Sequence, residues 1–268
     1  MGYTDVKQAV STTYELARRM GAPRAIALCQ CFMGALEFQA GHWAESEAAL
    51  RESIQLYREI GAASGEALAC QRLGVLQTAR GQLDEGLATL EEGVVAAERA
   101  LMRAHCLTRL YAAMARHHLI AGDVHAADQT LELGLAMSAR HGHCTTCDAL
   151  LLPAAVSVRV AQGDLVAAET FCRQLDTAAE QYASRLWVAM ARQARAELAA
   201  ARDEIDEALR AYAEAQAGFA ATGHTYESAR CLASAATLRL RRGTPDDLAL
   251  VGAVQSEAQR IFERLGVA

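Results

Sequence analysis

The sequence predicts an all-α fold: a right-handed solenoid of about six helix pairs, each roughly 40 residues long, behind one extra N-terminal helix. Three observations predict it. The chain is rich in small helix-forming side chains, a short glycine turn recurs at a constant interval, and fixed positions around that turn carry the same class of residue. The 268 residues include 59 alanines and only three prolines, and 52% of them are hydrophobic while only 5% are aromatic. That balance excludes an all-β sandwich, which draws on aromatic and β-branched residues, and a collagen-like or disordered chain.

The turn gives the period. Ala40-Gly41-His42-Trp43, Arg80-Gly81-Gln82-Leu83, Ala121-Gly122-Asp123-Val124, Gln162-Gly163-Asp164-Leu165, Arg202-Asp203-Glu204-Ile205 and Arg242-Gly243-Thr244-Pro245 lie 40 or 41 residues apart. Five residues before each turn stand Leu36, Leu76, His117, Val158, Leu198 and Leu238. Two residues after it stand Trp43, Leu83, Val124, Leu165, Ile205 and Pro245. Five after it the residues are mostly small (Ser46, Gly86, Ala127, Ala168, Ala208, Leu248), and nine after it come Leu50, Leu90, Leu131, Cys172, Tyr212 and Gly252. Within each segment the apolar positions recur at i, i+4 and i+7, as in Leu151, Ala155 and Val158, which is the helical period. A small residue belongs where two antiparallel helices cross closely.

Taken in order, a helix near 3–20 ends at Gly21. The first pair occupies 23–40 and 43–60 about Gly41 and stops at Gly61. The second occupies 62–80 and 83–101 about Gly81, and the third 102–121 and 124–141 about Gly122, stopping at Gly142. The fourth lies at 144–162 and 165–182 about Gly163, and the fifth at 183–201 and 204–222 about Asp203, stopping at Gly223. The sixth lies at 224–242 and 246–265 about Gly243. The expected repeats are thus 23–61, 62–101, 102–142, 143–182, 183–223 and 224–266, stacked as a single domain over 1–268 with a concave face lined by the first helix of each pair.

The turn pattern carries a resemblance. Gly163-Asp164-Leu165 followed by Ala167-Ala168 and Phe171-Cys172 resembles a tetratricopeptide repeat (TPR). The repeat is longer than the usual 34 or so residues and mostly lacks the first-helix tryptophan and tyrosine. In this it is similar to the long-repeat subclass of the maltose-regulon activator and the large ATP-binding LuxR-type bacterial transcription regulators. There the repeats form a C-terminal sensor and interaction arm beside an NTPase module and a DNA-binding helix-turn-helix. The resemblance implies a non-enzymatic recognition and regulatory module that binds a protein, a peptide or a small effector on its concave face. An assembly scaffold is an alternative.

Several chemistries are excluded by what the chain lacks. The only lysine is Lys7, so no Walker-type Gly-Lys-Ser/Thr exists, and neither a GxGxxG after a strand nor a GxSxG elbow is present. A net charge of −6 with the arginines scattered among glutamates argues against direct nucleic-acid contact. No stretch of about 18 uncharged apolar residues is available for a membrane span, so a cytoplasmic protein is expected. Homo-oligomerisation is compatible with this pattern.

One junction breaks the repeat's uniformity: His141-Gly142-His143-Cys144-Thr145-Thr146-Cys147-Asp148. Cys144 and Cys147, three apart in the first turn of a helix, project to the same side, where the helix's positive end favours thiolate. Cys106 and Cys147 both stand sixteen residues before their turn glycines, Gly122 and Gly163, on adjacent first helices. Three readings compete. A tetrahedral Zn2+ site would use Cys144, Cys147, Cys106 and His143, with His141 or His105 as alternates. A Cys144/Cys147 redox pair is sterically feasible. Or the cysteines are small packing residues. The first two make the chain a metal- or thiol-responsive sensor. No cofactor other than zinc is implied. His117, in an otherwise apolar column, is either a hydrogen-bonded core residue or a ligand contact. Tyr111, Trp187, Arg192 and Arg195 project from first helices and are expected to shape a binding groove.

Overall fold

The structure, a computed structural model, describes residues 3–267. The described residues form thirteen α-helices and no strand: α1 (Tyr3–Arg19), α2 (Pro23–Ala40), α3 (Trp43–Glu59), α4 (Ala63–Ala79), α5 (Leu83–Glu98), α6 (Arg103–Ile120), α7 (Val124–Arg140), α8 (Thr145–Gln162), α9 (Leu165–Tyr182), α10 (Arg185–Ala201), α11 (Ile205–Ala221), α12 (Thr225–Arg242) and α13 (Pro245–Leu265). The all-α fold of paired helices after an N-terminal helix is as the repeat predicts, and helix ends fall within a few residues of the expected ones.

The turns explain the regularity. Gly122 sits at φ +82°, where a side chain would be strained, and the N–H of Asp123 bonds back to the carbonyl of His118. Asp123 then caps α7, its carboxylate accepting from the Ala126 N–H at 2.8 Å. In the fifth repeat Asp203 takes the same left-handed conformation at φ +63°, which short polar side chains tolerate better than most.

The chain divides into two compact units, residues up to Leu151 and residues from Leu152. In the first, α2/α3, α4/α5 and α6/α7 are hairpins, with α1 on α2. The α4/α5 crossing shows why the small column exists: a Cβ on Gly74 would lie 2.5 Å from Leu90 Cγ, and one on Gly86 would lie 2.8 Å from Thr78 Oγ1. Ser46, Gly86 and Ala127 of that column are buried here, as are Leu50, Leu90 and Leu131 nine after the turns. Each fully buried leucine contributes roughly 2–3 kcal/mol by leaving water. The one lysine fastens α1: Lys7 Nζ lies 2.8 Å from Glu37, which also accepts from the Tyr3 hydroxyl and sits 2.7 Å from His42 Nδ1. Burial raises the Glu37 carboxyl, but these partners outweigh it and hold it below the usual carboxylate range.

In the second unit, α10/α11 and α12/α13 are hairpins, and α10 packs on α9 and α11 on α12. Leu175, Leu198, Tyr212 and Phe219 anchor the core. Ala168 and Ala208 keep the small column, whereas Leu248 of the sixth repeat is exposed. There Asp247, fully buried, accepts from Arg239 and Arg242 and closes a cap with Thr244. A polar contact replaces the apolar one that the column predicts.

Candidate functional site

Cys144 stands immediately before α8, in the N-cap position. Its carbonyl accepts from the N–H groups of Cys147 and Asp148 at 2.8 and 2.9 Å, and its Sγ lies 3.2 Å from Thr146 Oγ1. Cys147, one turn on, is buried, so the pair has one exposed and one enclosed sulfur. Across from them, α6 presents His105, whose Nδ1 lies 2.9 Å from Cys147 Sγ and 3.7 Å from Cys144 Sγ. The three ligand atoms lie within 4.8 Å of one another.

The environments of the two thiols differ. Burial raises the Cys144 thiol, but hydrogen bonds from the Thr146 hydroxyl, the Cys147 thiol and the two backbone N–H groups of that turn outweigh it. Its pKa is held below the ordinary cysteine range. Burial, the hydrogen bond to Cys144 and that residue's negative charge push Cys147 up to about 12. His105 is lowered, first by burial and then by the positive charge of Arg109, both of which disfavour the charged imidazolium. Arg109, one turn beyond His105 on α6, donates from Nη1 to the Thr146 carbonyl at 3.4 Å. Cys144, Cys147 and His105 line a cleft of about 350 Å³ together with Leu101, Met102 and His141.

The structure brings together only part of the expected set. Cys144 and Cys147 come together, and His105, an alternate, completes the cluster. Cys106 does not join: its thiol donates to the Ser64 carbonyl at 3.7 Å, on α4. Successive helical residues point about 100° apart, so when His105 faces α8, Cys106 faces the preceding repeat. His143 turns away as well. It takes φ +53°, with Nδ1 3.3 Å from Ser138 Oγ and 3.9 Å from Asp148. His141 lines the cleft without belonging to the triad. Sequence reasoning missed Arg109 and Thr146. Their signal was spacing alone, Arg109 four residues after His105 and Thr146 two after Cys144.

The groove residues fare differently. His117 is 3% exposed and hydrogen-bonded to Thr78 Oγ1 at 3.0 Å, the surroundings of a hydrogen-bonded core residue. Tyr111 and Trp187 are half-buried, packed on the cores of their own units, and Trp187 lies 5.0 Å from the Tyr182 ring. Arg195 is held by Glu169 and Asp176 at 2.7 and 2.6 Å, and Arg192 by Glu214 at 3.1 Å. Both arginines line a second cleft of about 360 Å³ with Glu207 and Arg210, where opposite charges balance one another.

Paired helices on a 40-residue period, with chemistry confined to side chains on a shared scaffold, define a helical-repeat protein of the tetratricopeptide kind. A family model described as MalT-like TPR region matches residues 23–265, and the chain belongs to that family. Such folds are typically non-catalytic, and their repeats generally mediate protein interactions. No curated protein matches the chain. Among solved structures, that of BtubC (BKLC) from P. vanneervenii is similar over 100% of this chain and 94% of that one, at 16% identity and a TM-score of 0.47. Among the described residues no helix is long and apolar enough to cross a membrane.

Proposed function

We propose that the chain is a non-enzymatic recognition and regulatory module, the sensor part of a bacterial transcription regulator, binding a protein, peptide or small effector through the exposed faces of its first helices. The observation that carries this reading is the match of the MalT-like TPR region to residues 23–265, nearly the whole chain. The cleft beside α6 supports it, because Leu101 and Met102 stand exposed at its rim, an apolar lip beside polar groups. The test is transcript profiling of a host strain that lacks the chain, with tagged chain returned in the complementing strain. The expected result is a defined set of altered transcripts and co-purification with an NTPase- or helix-turn-helix-bearing protein. Unchanged transcripts overturn the regulatory reading. If the chain instead retains only partners without regulator features, the assembly scaffold replaces it.

A second reading, a metal- or thiol-responsive sensor, is favoured by one specific observation, the meeting of His105 with Cys144 and Cys147.

A further inference from the structure

We propose that His105 Nδ1, Cys144 Sγ and Cys147 Sγ form a three-ligand site for a thiophilic d-block cation, Zn2+, whose fourth position opens onto the cleft beside α6. The inference specifies the ion and ligands of the metal-responsive reading, and it does not depend on the transcriptional one.

Distances carry the argument. Zinc holds sulfur at about 2.3 Å and imidazole nitrogen at about 2.0–2.1 Å in a tetrahedron, so a sulfur and a nitrogen on one ion stand about 3.5 Å apart and two sulfurs about 3.8 Å apart. Cys144 Sγ is 3.7 Å from His105 Nδ1, close to that edge, and Cys147 Sγ at 2.9 Å needs to retreat by roughly 0.6 Å. All three atoms lie within 4.8 Å of one another, about 1 Å beyond the edges of such a tetrahedral face at most. Helix geometry supplies the placement: the residue just before α8 and one three positions on, in its first turn, meet one residue of α6.

The donor set selects the class of ion. Two sulfurs and an imidazole suit zinc and its soft neighbours and do not suit Mg2+ or Ca2+, which need a shell of oxygens. The carboxylate that follows Cys147 in sequence, Asp148, is engaged by the Ser138 hydroxyl at 2.7 Å. Charge also closes. A dication with two thiolates is neutral overall, and the positive N-terminus of α8 faces the sulfurs. Arg109 lies beside them as an outer partner that ties α6 to the Thr146 carbonyl. With three protein ligands, the fourth position is left for water or an incoming donor, and the cleft of about 350 Å³ gives it access. Cys144 is exposed, so the ion reaches the site without opening the core. Once bound, it staples α6 to the first turn of α8.

The test uses the full chain, tag-free and reduced, titrated with Co2+ and then with competing Zn2+. The expected result is one equivalent of Co2+ with thiolate-to-cobalt charge-transfer absorption, displaced by Zn2+ and untouched by Mg2+. Cys144→Ser and His105→Gln each weaken binding roughly tenfold or more, and Cys106→Ser and His143→Gln leave it within about twofold. Because Cys144 is exposed, Cys144→Ser retains the fold, which far-UV circular dichroism checks. A Zn2+-dependent rise in Tm, present in the parent chain and absent in Cys144→Ser, gives a second readout. Absence of the charge-transfer band in the parent chain overturns the site, as does a band in Cys144→Ser of undiminished intensity and unchanged affinity. Binding unchanged by His105→Gln overturns the three-ligand set.

Discussion

Two junctions between successive first helices share one geometry and differ in chemistry. Between α4 and α6 the Cys106 thiol donates to the Ser64 carbonyl at 3.7 Å, and between α6 and α8 the Cys147 thiol donates to the His105 carbonyl at 3.8 Å. Ser64 and His105 stand seventeen residues before their turn glycines, the two cysteines sixteen before, and Arg103 and Cys144 nineteen before. At the first junction those positions hold Ser, Arg and Cys, which amount to a packed thiol and an ion pair of Arg103 with Glu98 at 2.5 Å. At the second they hold His, Cys and Cys, and three soft ligands converge. The repeat places the side chains, and two substitutions decide whether the place is a packing contact or a site.

The comparison can be broken first by transplanting it. Ser64→His with Arg103→Cys brings the three residue types to the α4/α6 junction, and a second equivalent of Co2+ is expected by the same absorbance titration. If none binds, repeat geometry is insufficient to build the site.

Packing next to the two junctions gives a large effect on stability. Gly93 and Gly134 stand at equivalent places after their turns. A Cβ at Gly93 would lie 2.7 Å from Leu110 Cδ2 and 3.0 Å from Cys70 Cβ, whereas one at Gly134 would lie 2.8 Å from Leu151 Cδ1 and 3.3 Å from Tyr111 Cβ. A leucine end can swing aside but a Cβ cannot. Gly93→Ala should therefore cost about 2–3 kcal/mol and Gly134→Ala about 1–2 kcal/mol, read from urea unfolding. The reverse order would place the tighter crossing at the wrong junction.

A smaller difference lies in acid. His117, bonded to Thr78 of α4, has its pKa lowered by burial and by His118, against a weaker opposing pull from Asp84. Its folded pKa is below the unfolded one, so full stability is present above the ordinary histidine range. It is lost as pH falls through that range toward the folded value. Chemical denaturation at pH 7 and pH 5 should show this loss in the parent chain and less of it in His117→Leu. An identical acid loss in both would assign it to other groups.

The smallest effect sharpens the comparison from the other side. His105→Ser gives the α6/α8 junction the serine that stands at the equivalent place of α4/α6, and in metal-free protein the stability should move by no more than about 0.5 kcal/mol. A larger loss would mean that His105 is chiefly a structural residue.

Much of the fold was legible because period and column are one-dimensional signals. The turn glycines and the buried set Leu50, Leu90 and Leu131 follow from spacing alone. The columns failed at Leu248, exposed beside a buried Asp247, because a salt-bridged cap can take the place of apolar contact and leaves no periodic trace. The cluster was half legible. Cys144 and Cys147 share a turn and reveal their proximity by number. His105 and Cys106 are neighbours in sequence, and which of them faces α8 depends on how α6 is rotated about its own axis.

The sequence by itself determined thirteen helices, their pairing and the one junction where thiols and imidazoles crowd, since each of these depends on residues near one another in the chain. Only the tertiary structure decided that His105 meets the cysteines while Cys106 turns to Ser64. It alone set His117 in the core and tied Arg192 and Arg195 to carboxylates. The physical reason is rotation: about 100° per residue separates a ligand from a packing contact, and that angle is set by which side chains the neighbouring helices can bury.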